Sequence, residues 1–463
     1  MSIIDYAIII AYLAILIVVG ITRRSRQNES AAGFILGGRR LTLPAFIATL
    51  VSSWYGGILG VGEYSFTYGV SNWLVFGLPY YLAAILFAIF LAKKARQSEL
   101  LTIPDRLEKA YGKKTAVAGS VILFIVTIPG AYVLMLAVLG KFLFGWPFWL
   151  GGIIGVLFSL FYVHLGGFRS VVRTDLLQFG LMFAGFIVLF VILVVNYGGW
   201  SFLQSALPES HTTWHGGNSG WYIATWYFIA LATLVEPAFY QRCFAVKNIK
   251  TARTGIFLSV GFWIVFDFLT TSCGLYARAI LPDLAEPISS FPALAAEVLP
   301  PGLLGLFALA MISTVMSTVD SYSFLAASTF SRDIVWRVFK IPDEKITLYT
   351  RIGLVLSGLI ALVLALYFES VIDIWHDFGS VATPALLVPL FTAFVGKRRM
   401  KPYASLLCII FSGGISLIWL ILGNNLADGG YFLGIAPIFP GLITSLLFYL
   451  FGSGYQKPIV KSS

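Results

Sequence analysis

Runs of about 20 apolar residues recur along the whole chain, which leaves few architectures open. They lie near 4–22, 43–68, 72–94, 116–140, 147–165, 175–196, 220–240, 254–280, 302–330, 347–368, 372–396, 403–422 and 432–451, thirteen in all. Each is long enough to cross the roughly 30 Å hydrocarbon core of a bilayer as a helix. The periods are helical rather than ten-residue alternations, which excludes a β-barrel. Only 11% of the 463 residues are charged, against roughly 25% in soluble domains. No polar stretch is long enough to bury a core of its own. The reading is one all-α polytopic membrane domain over 1–463, with the lipid bilayer as its solvent.

Basic residues predict the orientation. Arg23, Arg24, Arg26, Arg39 and Arg40 follow the first run, and Lys93, Lys94, Arg96, Arg106 and Lys109 follow the third. Similar groups follow the fifth (Arg169, Arg173), seventh (Lys247, Lys250, Arg253), ninth (Arg332, Arg337, Lys340) and eleventh (Lys397, Arg398, Arg399). The alternate loops carry Asp283, Glu286, Glu297 and Glu369 instead. By the positive-inside rule the N-terminus is outside, and Lys457 and Lys461 are cytoplasmic, as expected of a multi-pass protein of the cell membrane. The net charge of +10 is dispersed over many loops, so it is a topology signal and not a nucleic-acid footprint. The first run carries Asp5 and no positive charge at its start, and its arginines follow it, the mark of an uncleaved first helix rather than a secretory signal.

Little else suggests chemistry on the protein itself. Cys243, Cys273 and Cys408 show no metal-ligand spacing and are read as packing residues. His164, His211, His215 and His376 form no HExxH set, and His211 and His215 are read as solvated in an external loop. An enzyme would need a nucleophile–base pair or a metal set at one depth, and neither is visible. No obligate protein partner is evident.

The ninth run is different. Between Pro301 and Asp333 it carries Ser313, Thr314, Ser317, Thr318 and Ser321 beside Asp320. At membrane depth each polar group is expensive unless it finds a partner. Hydroxyl oxygens next to a carboxylate suit a small hard cation such as sodium. The competing reading is that Ser and Thr bond back to their own helix carbonyls.

Two further runs look interrupted. The second, FIATLVSSWYGGILGVGEYSF, places Gly56, Gly57, Gly60 and Gly62 after Ser52 and Ser53. Each glycine weakens a helix by about 1 kcal/mol relative to Ala, and freed carbonyls can bind a cation where they line a cavity. The seventh, WYIATWYFIALATLVEPAFYQR, has Glu236 and Pro237 in its last third, where Pro removes a backbone donor. The two are five runs apart, an odd number, so two five-helix units would lie in opposite orientations. Paired interrupted helices of this kind point to an inverted-repeat transporter with its site near the midplane.

Three stretches carry a family likeness: GGFRSVVRTDLLQ (166–178), QRCFAVKN (241–248) and STVMSTVDS (313–321). With thirteen spans and an outside N-terminus, the chain resembles the sodium/solute symporter family, which includes sodium/glucose and sodium/proline cotransporters. The resemblance implies a LeuT-type five-plus-five inverted repeat, with repeats at 43–200 and 220–400. An extra N-terminal helix and loop (1–42) and two C-terminal helices (401–463) would flank them. It implies a sodium site from the carbonyls of Val51, Trp54 and Thr314 and the hydroxyls of Ser317 and Thr318. Some members have a second cation position, which here would fall on Asp175 with Asp320 and Ser321 in place of two hydroxyls; two acids there could instead share a proton. The competing reading of Asp175 is a helix cap or a partner of Arg173.

By the same likeness Ser52, Ser53 and Tyr55 would face the solute from the first break, and Glu236 and Phe239 from the second. Trp226, Tyr240 and Trp375 would add apolar walls. Glu236 suits an amine-bearing or polyhydroxyl solute, or else bonds to backbone amides freed by the break. Asp267 is read as a buried structural acid. The expected function is sodium-coupled symport of a small polar solute, a sugar, amino acid or organic acid, by alternating access. The alternatives are a proton-coupled symporter using Asp175 and Asp320, or a solute sensor, for which the segment after Phe451 is short.

Overall fold

The computed structural model describes residues 1–21, 30–368, 370–396, 398–426 and 430–455. Arg23, Arg24, Arg26, Glu369, Lys397, Lys457 and Lys461, used above to read orientation, lie outside the described residues. Among the described residues twelve helices are long and apolar enough to span a membrane. They are Ile3–Gly20, Leu43–Tyr68, Trp73–Phe90, Lys113–Phe144, Phe148–Gly166, Phe168–Tyr197, Gly220–Ala245, Ile249–Ile280, Leu303–Phe339, Asp343–Tyr367, Val371–Val395 and Pro402–Leu426. A thirteenth, Ile438–Gly452, has only 15 residues. At 1.5 Å per residue it falls short of the full hydrocarbon thickness. A 3-10 turn at Phe432–Gly434 takes up the start of that apolar run.

The spans divide by what surrounds them. The second and ninth have 94% and 89% of their apolar windows buried, against 28% for the first and 33% for the fifth, sixth and twelfth. The poorly buried spans are therefore the lipid-facing wall, and the second and ninth are the axis on which polar groups can be satisfied by protein. Even the first span is tied to that axis: Asp5 Oδ1 accepts the N–H groups of Gly302 and Gly305, at 2.7 and 2.8 Å. The carboxylate thus caps the ninth span, where orphan backbone donors favour negative charge.

Both expected interruptions are present. The second span runs as helix Leu43–Trp54, a 3-10 turn at Tyr55–Gly57, and helix Ile58–Tyr68. The seventh runs as helix Gly220–Ile229, a 3-10 turn at Ala230–Leu234, and helix Pro237–Ala245. Glu236 between them is extended (φ −68°, ψ 115°). Pro237 opens the last piece at the first helical position, where a missing N–H loses nothing.

On the side that carries the basic loops, a nine-residue helix, Ile103–Tyr111, joins the third and fourth spans. Its Asp105 pairs with Arg337 (2.8 Å) and Arg332 (3.5 Å), and Arg337 also pairs with Glu108 and Asp333 (3.1 Å). From the same helix Arg106 Nε donates to the Ala393 carbonyl (2.8 Å) and the Tyr111 hydroxyl to that of Pro389 (3.1 Å). One short helix therefore holds the ends of the ninth and eleventh spans.

Cys243, Cys273 and Cys408 are buried and unpaired. His211 departs from expectation: it is 5% exposed rather than solvated. Its Nε2 lies 2.9 Å from the Phe66 carbonyl, and its own carbonyl accepts the Val70 N–H at 3.0 Å. The loop docks this closely because the turn at Gly69 has positive φ (63°) and no Cβ to strike the His211 backbone.

Candidate ion and solute sites

The polar cluster of the ninth span sorts itself by partner. Only Thr314 bonds back to its own helix, to the Ala310 carbonyl at 2.7 Å. Ser317 Oγ lies 2.9 Å from Ser52 Oγ and 2.6 Å from Asp175 Oδ1. Thr318 Oγ1 lies 3.0 and 3.3 Å from the carbonyls of Ser53 and Ser52. The approach depends on Gly56, because a Cβ there would overlap the Thr318 hydroxyl and its Cβ. All these oxygens are buried. Hydroxyl, carbonyl and carboxylate oxygens with no sulfur or imidazole form a hard donor set that fits sodium.

Beside this lies a buried ion pair. Arg242 Nη2 is 4.0 Å from Asp175 Oδ2, and both side chains are fully buried. The same guanidinium donates to Thr49 (3.0 Å), Ser53 (2.9 Å), Ser321 (2.9 Å) and Gln241 (3.2 Å), and Thr49 donates to Asp175. A buried charge persists only when it is so satisfied. The expected alignment of Asp320 with Asp175 is not found: Asp320 turns to the fifth span, where Ser159 and Tyr162 donate to its two oxygens. Asp320 is two residues after Thr318, a spacing that puts the two side chains on different faces of the helix. The guanidinium of Arg242, not a second acid, faces Asp175 and Ser321.

A cavity opens between the two breaks and the third, fourth, eighth and eleventh spans. Trp54, Tyr55, Glu236 and Trp375 line it. The Trp375 ring lies on Gly57, where any Cβ would collide with it. Asp267 lines it too and accepts hydrogen bonds from Tyr55 and Tyr81. Glu236 Oε1 accepts the Ala238 N–H at 3.3 Å, capping the helix that starts at Pro237.

A family model, the sodium:solute symporter family, matches residues 34–406. The chain belongs to that family. It is therefore a multi-pass membrane symporter that couples solute movement to sodium. The osmoregulated proline transporter OpuE of Bacillus subtilis (strain 168) is 24% identical over 95% of this chain and 92% of its own length. The high-affinity choline transporter 1 of Drosophila melanogaster is 25% identical over 94% and 72%. The fold matches a structure of a Na+-coupled sialic acid symporter in a substrate-bound outward-open state, with a TM-score of 0.80 at 17% identity over 98% of this chain and 100% of that one. The architecture is accordingly of the LeuT type.

Other expected positions in the symporter need correcting. The Val51 carbonyl accepts the Tyr55 N–H, and the carbonyls that face the Thr318 hydroxyl are those of Ser52 and Ser53. Trp54 presents its ring to the cavity, 5.5 Å from Trp263 and 5.6 Å from Tyr80. Ser52 and Ser53 do not line the cavity: Ser52 bonds to the Ala48 carbonyl (2.8 Å) and faces Ser317, and Ser53 meets Ser321 (2.7 Å). They sit on the helical piece before the 3-10 turn, and that piece packs on the ninth span. Trp226 is 1% exposed behind Phe76 (4.6 Å between centroids), and Phe239 is fully buried behind Trp54 (5.4 Å). Tyr240 is likewise fully buried, its hydroxyl on the Leu234 carbonyl at 2.9 Å. Sequence reasoning missed Trp263, Phe76, Tyr81 and Tyr132 as lining residues, because an aromatic facing a cavity and one facing lipid read alike.

Proposed function

We propose that the symporter binds its coupling sodium where Ser317 and Thr318 meet the first break, and its solute in the aromatic cavity beside Tyr55, Glu236 and Trp375. The observation that carries this reading is the seating of the Thr318 hydroxyl on the carbonyls of Ser52 and Ser53, made possible by Gly56, with Ser317 against the Ser52 hydroxyl beside it. Asp175 orients Ser317, and its charge is balanced by Arg242, so in this reading Asp175, Asp320 and Ser321 hold no second cation.

The two five-span repeats, 43–200 and 220–400, face the sites from opposite sides, flanked by 1–42 and 401–463. The basic loops support an N-terminus outside, and with sodium entering down its gradient transport runs inward across the plasma membrane. One charge entering down the potential yields roughly 2.3 kcal/mol per 100 mV. Sodium at the contact braces the ninth span against the first break and favours the state open to the solute. Only a difference in affinity between two states produces such a shift. The named solutes of the relatives, proline and choline, are both small and differ in charge, so they support a small solute without fixing its class.

Thermal stability of the purified protein tests the ion site. Sodium, but not potassium, should raise the melting temperature of the wild type, and Ser317→Ala should weaken the rise. An equal response in Ser317→Ala would remove the site from this contact.

A further inference from the structure

The cavity carries more information than its position. Its walls are aromatic on several sides, with the rings of Trp54, Trp263, Trp375, Phe76, Tyr132 and Phe378. Two carboxylates, Glu236 and Asp267, reach into it from different spans. Among the described residues no Lys, Arg or His lines it. From this we infer that the solute carries a positive charge: a quaternary ammonium or protonated amine, held by the faces of the rings and by Glu236. The inference rests on the reading of this cavity as the solute site.

Three observations exclude the opposite sign. An anion in a LeuT-type core would look to the helix N-terminus freed by the second break, but Glu236 itself already accepts the Ala238 N–H there. The backbone of the first break is screened by the Trp375 ring lying on Gly57 and Gly60. The guanidinium of Arg242, next to the seventh-span break in sequence, is fully buried and engaged by Thr49, Ser53, Ser321, Gln241 and Asp175. An organic cation meets the reverse situation. Ring faces attract ammonium groups, and desolvation strengthens that attraction. Asp267 takes two tyrosine hydroxyls yet retains acceptor capacity, since a carboxylate has about four lone-pair sites.

The test compares shape-matched solutes on the full-length protein in sodium. The probes are choline, its uncharged isostere with a tert-butyl group in place of the trimethylammonium, the corresponding tert-butyl carboxylate, and a series of alkylammonium ions. The first readout is the melting temperature. The second is protection of Ala232→Cys, a cavity position, from maleimide; the three native cysteines are buried. Choline or another member of the ammonium series should half-saturate at least about tenfold below its uncharged isostere. Glu236→Gln and Trp375→Leu should each erase that preference, and their sodium-dependent melting shift reports that they are folded.

Tighter binding of the uncharged or acidic isostere overturns the inference, and so does silence from the whole ammonium series. A preference for the cation that survives both substitutions overturns it as well. The two readouts separate this failure from that of the site: a probe that stabilises the protein without protecting Ala232→Cys binds outside the cavity. An uncharged or acidic probe that does protect it leaves the site standing and removes only the charge.

Discussion

The second and seventh spans are both interrupted near their middles, but by opposite chemistry. In the second the chain loses side chains: Gly56 and Gly57 leave room for Thr318 and Trp375 to press onto bare backbone. In the seventh it gains one: Glu236 caps the helix that Pro237 opens, and its side chain faces the cavity. A break made by omission lets other spans close on it, and in the proposed reading its carbonyls become ligands for an ion. A break made by addition brings its own charge and, as proposed here, selects what approaches. Paired breaks in two repeats thus need not be paired in function.

The sharpest way to break this comparison is to give the first interruption what it lacks. Gly56→Ala should abolish the sodium-dependent melting shift, since the added methyl occupies the place of the Thr318 hydroxyl. A preserved shift would detach the ion site from that turn. Next in size, Thr318→Val should weaken sodium by roughly ten- to a hundredfold, as for a lost bond to a charged partner of about 1.5–3 kcal/mol, while Thr318→Ser stays near wild type. Sodium titrations of the melting temperature would show both.

At the second interruption Glu236→Ala should lower stability by about 1 kcal/mol through the lost cap. It should remove the solute response and leave the sodium response intact; a joint loss would mean that the two breaks are not separable. The smallest effect is a control away from both. Burial and the nearby Arg278 charge hold His211 below its ordinary pKa. The neutral ring is therefore the one favoured by folding. Stability tied to it is present above the ordinary histidine value of about 6.5 and fades as pH falls through the lowered one. The protection of residues 207–217 from hydrogen exchange, taken relative to the intrinsic rate at each pH, should fall on acidification, and His211→Gln should flatten that dependence.

The sequence shows the spans and both breaks plainly because they depend on local signals: apolar length, glycine runs, a Pro after an acid. Ser317 and Thr318 stood out for the same reason, as hydroxyls inside an apolar helix. The rest depended on rotation and on distant partners. Ser52 and Ser53 precede a 3-10 turn, so their direction does not follow from that of Tyr55 inside it. Asp320 found Ser159 and Tyr162, more than 150 residues away in sequence, and no spacing rule links them. Trp226 and Trp263 are equally hydrophobic and both buried, yet only the latter lines the cavity.

The helix Ile103–Tyr111 is too short to cross anything, yet it grips the ninth span through Arg337 and the eleventh through the Ala393 and Pro389 carbonyls. The ninth span carries the hydroxyls proposed for the ion, and the eleventh carries Trp375. A swing of either at that end, with the peg left in place, has to break these bonds. Timing on that side of the membrane is thus a matter of leverage, set by a part that touches neither cargo.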